Sequence, residues 1–138
     1  MKVFLDANIL VTVLNKEYPL FPYAAKLLSL SDRFGFELYT SPTCIAIAFY
    51  FSSKKCGESH SKKKISTLLD HIRLTTIDES CVLRSVRNAK INDIEDGMQY
   101  YSALQMGCDY IVSENVGDFH FGEITTISCR DFLLKEVS

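Results

Sequence analysis

Apolar residues fall in short clusters separated by helix-length amphipathic stretches, and this alternation organises the whole chain. Val3-Phe4-Leu5 is an apolar run too short for a helix, closed by Lys2 and Asp6, and suits a buried strand. Ile9, Leu10, Val13 and Leu14 then recur at helical spacing, with Asp6 or Asn8 able to cap the first turn. Tyr18-Pro19-Leu20-Phe21-Pro22 breaks that period. Pro22 suits the first turn of a second helix, which carries Ala25, Leu27, Leu28 and Leu30 on to about Arg33. Gly35 ends it, and Phe36 to Thr40 reads as a second strand. Ser41-Pro42-Thr43 opens a third helix, strongly apolar from Cys44 to Phe51 and broken at Gly57-Glu58-Ser59; a fourth runs from Ser61 to Asp70.

The second half repeats the rhythm. Leu74 to Ile77 is rich in β-branched residues and predicts a third strand. Asp78 or Ser80 caps the next helix, with Val82, Leu83, Val86 and Ala89 as its apolar positions. A polar break from Asn88 to Asn92 precedes a helix from Asp93 to Met106, closed by Gly107. Tyr110-Ile111-Val112 and Ile124 to Ile127 read as strands, and Cys129 to Lys135 as a last short helix. Short apolar strands separated by helices pair in parallel, because a parallel crossover needs a helix-sized connection. The expected fold is α/β: one domain over residues 1–138, a three-layer α/β/α sandwich with a mostly parallel sheet of about five strands. In such sheets working groups gather beyond the carboxyl ends of the strands. That rule points to Asp6, Ser41, Asp78 and Ser113-Glu114-Asn115.

Composition narrows the class. A chain of 138 residues with 47% apolar content supports one core, not two, and argues against disorder. No apolar run approaches the roughly 18–20 residues of a membrane span, and Met1 to Leu5 meets Asp6 too early for a signal-peptide core. The five cysteines are odd in number and scattered, with no C-x-x-C pair, so they read as reduced thiols of a cytoplasmic protein. A net charge of −2 excludes a wholesale basic coat for nucleic acid. Charge is uneven, however: Lys54, Lys55, Lys62, Lys63 and Lys64 against Glu58 make a local +4 on a body of −6. Such an island is either a solvated face or a phosphate-contacting patch with salt-dependent binding.

Candidate chemistry lies in three places. Asp6 follows the first strand directly, where an aspartate is either a helix cap or a site carboxylate. Asp93-Ile94-Glu95-Asp96-Gly97 puts three acids in one turn; Asp93 and Asp96 lie about 60° apart on a helix and share a face. First-turn acids favour a helix start, but a carboxylate cluster also suits a hard divalent cation. Ser113 to Phe119 is either a polar loop or the hydroxyl, amide and carboxylate that complete a metal and water site. Other chemistries find little support. Gly117 to Gly122 lacks the Lys-Ser/Thr of a phosphate loop, and His60, His71 and His120 have no ligand spacing.

Taken together and in order, several segments resemble PIN-domain proteins, and in particular the VapC-like toxins of bacterial toxin–antitoxin pairs. These are the opening strand with Asp6-Ala7-Asn8-Ile9-Leu10, then Thr40-Ser41-Pro42, Asp93-Ile94-Glu95-Asp96-Gly97-Met98-Gln99, and Cys108 to Phe119. The resemblance implies a metal-dependent endoribonuclease using Mg²⁺ or Mn²⁺, with an RNA substrate and an antitoxin protein as partner. A homodimer is a further option the sequence leaves open. It implies that Asp6 and Asp96 hold the metal and that Asn115 completes the catalytic set, with Asp118 as a neighbour able to substitute. Asp93, Glu95 and Ser113 would support that set, and Lys54, Lys55, Lys62, Lys63 and Lys64 would contact RNA. One departure stands out. Where the family has a glutamate on the helix after the second strand, this chain has Ile47, and no carboxylate occurs from Thr40 to Gly57. Either Asp93 or Glu95 compensates, or the chain is a catalytically weakened PIN-fold module that binds protein or RNA without cutting.

Overall fold

The computed structural model describes residues 1–137. Its centre is β1 (Lys2–Leu5), whose Val3, Phe4 and Leu5 are wholly buried. A strand covered on both faces reads as a continuous apolar run, which is the pattern here. It pairs in parallel with β2 (Glu37–Thr40) on one side and β4 (Tyr110–Val112) on the other. β3 (Arg73–Leu74) adds outside β2 and β5 (Thr125–Ile127) outside β4, giving the order β3-β2-β1-β4-β5, parallel throughout. The chain therefore builds outward from β1 in one direction, then crosses back to build in the other. The switch between those directions falls between β1 and β4, where a crevice opens beyond the carboxyl ends of the strands.

Among the described residues seven α-helices flank the sheet. α1 (Ala7–Asn15) packs on α2 (Phe21–Ser29) and α3 (Pro42–Cys56), with α4 (Glu58–Leu68) against α3 and α7 (Cys129–Glu136) against α2. α5 (Glu79–Arg87) and α6 (Ile94–Met106) form a separate antiparallel pair. This is the α/β/α arrangement that the sequence implies. Side-chain caps set most helix starts: Asp6, Ser41, Asp78, Asp93 and Ser128 each accept from a first-turn backbone N–H. Gly107, in the left-handed region at φ 79°, closes α6.

Four details depart from the sequence expectation. β3 ends at Leu74 instead of running to Ile77, because β2 stops at Thr40 and turns into α3, so the ladder has no partner beyond the Thr75 N–H to Thr40 carbonyl bond. α4 begins at Glu58, not Ser61, and ends at Leu68: Gly57 alone, at φ +86°, makes the break. α2 stops at Ser29 and tightens into a 3-10 turn over Leu30–Asp32 before Arg33. On α5, Val82, Leu83 and Val86 are exposed and the buried contacts come from Cys81 and Ser85. The reason is close approach. A Cβ added to Gly97 of α6 would lie 2.6 Å from Ser85 Oγ, so a small residue is needed where α6 crosses Ser85.

Candidate active site

Strand β1 delivers Asp6 to the switch-point crevice, and β4 delivers Ser113 beside it. Asp6 is both things the sequence allowed. Its Oδ1 caps α1 by accepting from the Ala7 N–H at 2.8 Å, while its Oδ2 accepts from Ser113 Oγ at 2.8 Å and faces Asn8 Nδ2 at 3.4 Å. Ser113 is wholly buried and held in turn: its Oγ accepts from Asn8 Nδ2 at 3.1 Å and from the Asn115 N–H at 3.0 Å. Asn8 closes the ring by accepting from the Glu114 N–H at 3.2 Å. Asn8 is thus an orienting residue that sequence reasoning offers only as an alternative cap. The available signal was its place two residues after Asp6, on the turn that leaves the first strand.

These groups open onto a cavity of about 800 Å³. Asp6, Asp93, Glu95, Asp96, Asn115 and Asp118 all line it, together with Glu17 and Glu114, and no lysine or arginine does. Asp93 reaches the cavity from the cap position of α6, where its Oδ1 accepts from the Glu95 N–H at 2.9 Å. Asp93, Glu95 and Asp96 all line this one cavity at the start of α6. Ile47 and Phe51 of α3 form an apolar wall of the same cavity. α3 is tied to α6 by buried Ser41, whose Oγ donates to the Oε1 of buried Gln99, one turn beyond Asp96. Asp78, the remaining strand-end candidate, is spent on capping α5 and does not line the cavity. The bond it accepts from the Cys81 N–H holds its carboxyl below the ordinary range.

The lysine island packs against the C-terminal end of α1. Lys55 Nζ donates to the Asn15 carbonyl at 2.6 Å and Lys64 Nζ to the Leu14 carbonyl at 2.9 Å. Both cap the C-terminal end of α1, about 13 Å along the helix from Asp6, and satisfy carbonyls that have no intrahelical donor. Lys54 sits over the Tyr50 ring, 4.6 Å from its centroid, and Lys62 and Lys63 are exposed on α4.

Seven carboxylates line this cavity without a neighbouring cation, and the proton affinities of Asp6, Glu95 and Asp96 are raised. Burial, opposed by the Ser113 bond and reinforced by Asp118, raises Asp6. Burial and then Asp93, Asp6 and Asp118 raise Glu95. Asp96 is pushed up to about 7, by burial first and then by Asp118, Asp93, Asp6 and Glu95. Asp118, not Asn115, is therefore the charged neighbour from the loop after β4 that acts on the other acids. The donor set is all hard oxygen, the type that suits a small divalent cation. Among the described residues no three His, Cys, Asp or Glu side chains form a cluster that could by itself hold a metal ion.

A stability prediction follows from Asp96. Its folded pKa of about 7 lies above the ordinary carboxylate value of 3.8, so the folded state holds the extra proton between those limits. Stability of the metal-free protein should then fall as pH rises through that window. An Asp96→Asn variant, which cannot ionise, is expected to melt about 3–6 °C above the unmodified protein at pH 8, after allowance for solvent screening, and to lose that advantage near pH 4. Thermal denaturation in chelator at the two pH values measures it; an equal Tm at pH 8 would show that Asp96 is not under charge strain.

Comparison with known proteins agrees with this architecture. The sequence pattern described as PIN domain matches residues 2–117. Ribonuclease VapC1 of Aquifex aeolicus (strain VF5) is 25% identical over 134 residues, 95% of this chain and 92% of that protein. Among solved structures, VapBC2 from Rickettsia felis, bound to a DNA fragment from its promoter, superposes with a TM-score of 0.73 at 17% identity, over 93% of this chain and 98% of that one. Mycobacterium tuberculosis VapC20, a toxin that cleaves the sarcin-ricin loop, gives 0.70 at 14% identity, over 91% and 98%. VapBC-1 from nontypeable Haemophilus influenzae gives 0.70 at 18% identity, over 94% and 99%.

Proposed function

The chain belongs to the PIN-domain family, and from that premise we propose that it is an RNA-cleaving toxin restrained by a cognate antitoxin protein. The observation that carries the reading is the acidic cavity at the β1–β4 switch point, where Asp6, Asp96 and Asp118 share one space with no protein cation to balance them. The ribonuclease named among its relatives and the VapBC assemblies that share its fold support the substrate class and the partner.

Asp6 and Asp96 are the proposed ligands of Mg²⁺ or Mn²⁺, with Asp118 as the third charge. When bound, such an ion lowers the pKa of a water and neutralises charge at a scissile phosphate. The protein's part is positioning. Ser113, the Ala7 N–H and Asn8 hold the Asp6 carboxylate in one orientation. In the metal-free protein Asp96 holds its proton up to about pH 7, so a cation that binds there displaces that proton. Asp93 and Glu95 accept hydrogen bonds from waters at the mouth, and Asn115 offers a neutral amide to the attacking water or the phosphate.

Purified protein incubated with total RNA is expected to cut it with Mn²⁺ or Mg²⁺ and to be silent in chelator. A second reading rests on Ile47: an apolar side chain lines the cavity where the family's pattern has a glutamate. If RNA survives intact with every divalent cation, the chain is a PIN-fold binding module.

A further inference from the structure

A strand of RNA entering an acidic cavity needs cations nearby to hold its backbone, and none lines that cavity. The seam between α5 and α6 supplies them. A second cavity, about 580 Å³, is walled by Arg84, Arg87, Asn88 and Tyr101, with Glu79 and Leu83 also on its lining. The Arg84 guanidinium lies over the Tyr101 ring, 4.3 Å from its centroid. Tyr101 is itself buried and anchored, its hydroxyl accepting from Asn88 Nδ2 at 3.0 Å, while Asn88 Oδ1 accepts from the Lys90 N–H at 3.0 Å. Stacking on a fixed ring orients a guanidinium face-on and leaves its edge N–H groups open for two-point binding of a phosphate. Among the described residues neither Arg84 nor Arg87 has an ion-pair partner.

The seam also leads to the acidic cavity. Asp93, Gly97 and Tyr101 follow one another at intervals of four along the side of α6 that meets α5. Tyr101 lies about 12 Å beyond Asp93 along the axis, and its ring leans back towards Asp93, as long helical side chains do. α5 runs antiparallel, so Arg87 at its end is separated from Asp93 only by a short turn. The lysines of α3 and α4 are held differently, since Lys55 and Lys64 are already engaged by carbonyls at the C-terminal end of α1.

We propose that the α5–α6 seam is the RNA track: Arg84 and Arg87 clamp a backbone phosphate of a single strand while a nearby linkage enters the acidic cavity. This rests on the ribonuclease reading and extends it to the way RNA is held.

The test is salt-dependent binding of a fluorescent single-stranded RNA to protein carrying Asp6→Asn, so that no cutting intervenes. Adding Arg84→Gln and Arg87→Gln should weaken binding at least 10-fold and flatten the log–log salt slope by about 0.7, the value for one phosphate neutralised on a single strand. Lys replacements at both positions should keep the slope but recover only part of the affinity, because an ammonium cannot make the two-point contact. Lys62→Gln with Lys63→Gln should leave the slope unchanged. A slope lost with the lysines and kept with the arginines overturns the track. So does RNA binding that neither pair affects. Cleavage of total RNA by the unmodified protein, measured in parallel, tells the two readings apart: cutting with an arginine-independent slope removes the track alone, whereas no cutting and no RNA binding removes both.

Discussion

Asp6→Asn is expected to reduce RNA cleavage by at least about 100-fold while leaving the fold intact, the larger effect of any single neutral replacement here. The reasoning separates charge from structure. Asparagine caps helices about as well as aspartate, so the bond from the Ala7 N–H is retained. Ser113 Oγ can still donate to the side-chain oxygen, or turn to accept from the new amide. Burial already penalises the carboxylate of Asp6, so its neutral isostere carries a smaller desolvation cost. What disappears is one full negative charge at the place where β1 meets the cavity. Groups that only support a metal ligand typically cost 10–100-fold when removed, so a proposed ligand should cost at least the upper end of that range. Ser113→Ala provides the graded comparison: it acts through Asp6 and should fall within the 10–100-fold band. Cleavage rates under saturating Mn²⁺, with circular dichroism to check folding, measure both. Undiminished cutting by Asp6→Asn would show that the acidic cavity is not where RNA is hydrolysed.

The sheet was readable in advance because a buried parallel strand leaves so plain a mark. Val3-Phe4-Leu5 and Tyr110-Ile111-Val112 are apolar, short and followed at once by polar residues, and both lie where that pattern puts them. The acids of α6 were readable for a similar reason: Asp93, Glu95 and Asp96 precede a long helix at a predicted strand-end side of the sheet, and all three line the cavity. Strand and helix ends were less visible. β3 is cut short by its neighbour's turn into α3, a tertiary cause that β-branched residues at Thr75 to Ile77 do not reveal. α5 misleads in another way. Its apolar residues Val82, Leu83 and Val86 suggest a buried face, yet the buried positions are Cys81 and Ser85, and close contact with Gly97 selects the small Ser85. The lysine island shows what charge counting leaves out, namely which groups each lysine meets in the fold. Proximity in sequence gathers Lys55 and Lys64 near Lys62 and Lys63, but two of them are drawn to carbonyls at the end of α1, which lies more than 35 residues earlier in the chain.

Ile47→Glu should tighten Mn²⁺ binding by about 10–100-fold and raise cleavage with it. Ile47 is half-buried on α3, and the cavity it lines is the one that holds Asp6 and Asp96. A carboxylate placed there gains several kcal/mol of attraction to a nearby dication at the effective dielectric of a protein surface, and desolvation offsets part of that gain. The remaining 1.4–2.8 kcal/mol or so corresponds to the stated range in affinity. Without the cation the sign reverses. An eighth carboxylate joins seven that already repel one another, so in chelator the variant should melt several degrees below the unmodified protein. Ile47→Gln keeps the shape and removes the charge; it should share neither the gain in affinity nor the full loss in chelator. Calorimetric Mn²⁺ titration and melting curves with and without the ion separate these cases. A variant that loses stability in chelator, recovers none with Mn²⁺ and binds the ion no better would show that position 47 cannot reach it. Asp6, Asp96 and Asp118 would then have to balance the ion without help from α3, and the non-cleaving reading would become the stronger of the two.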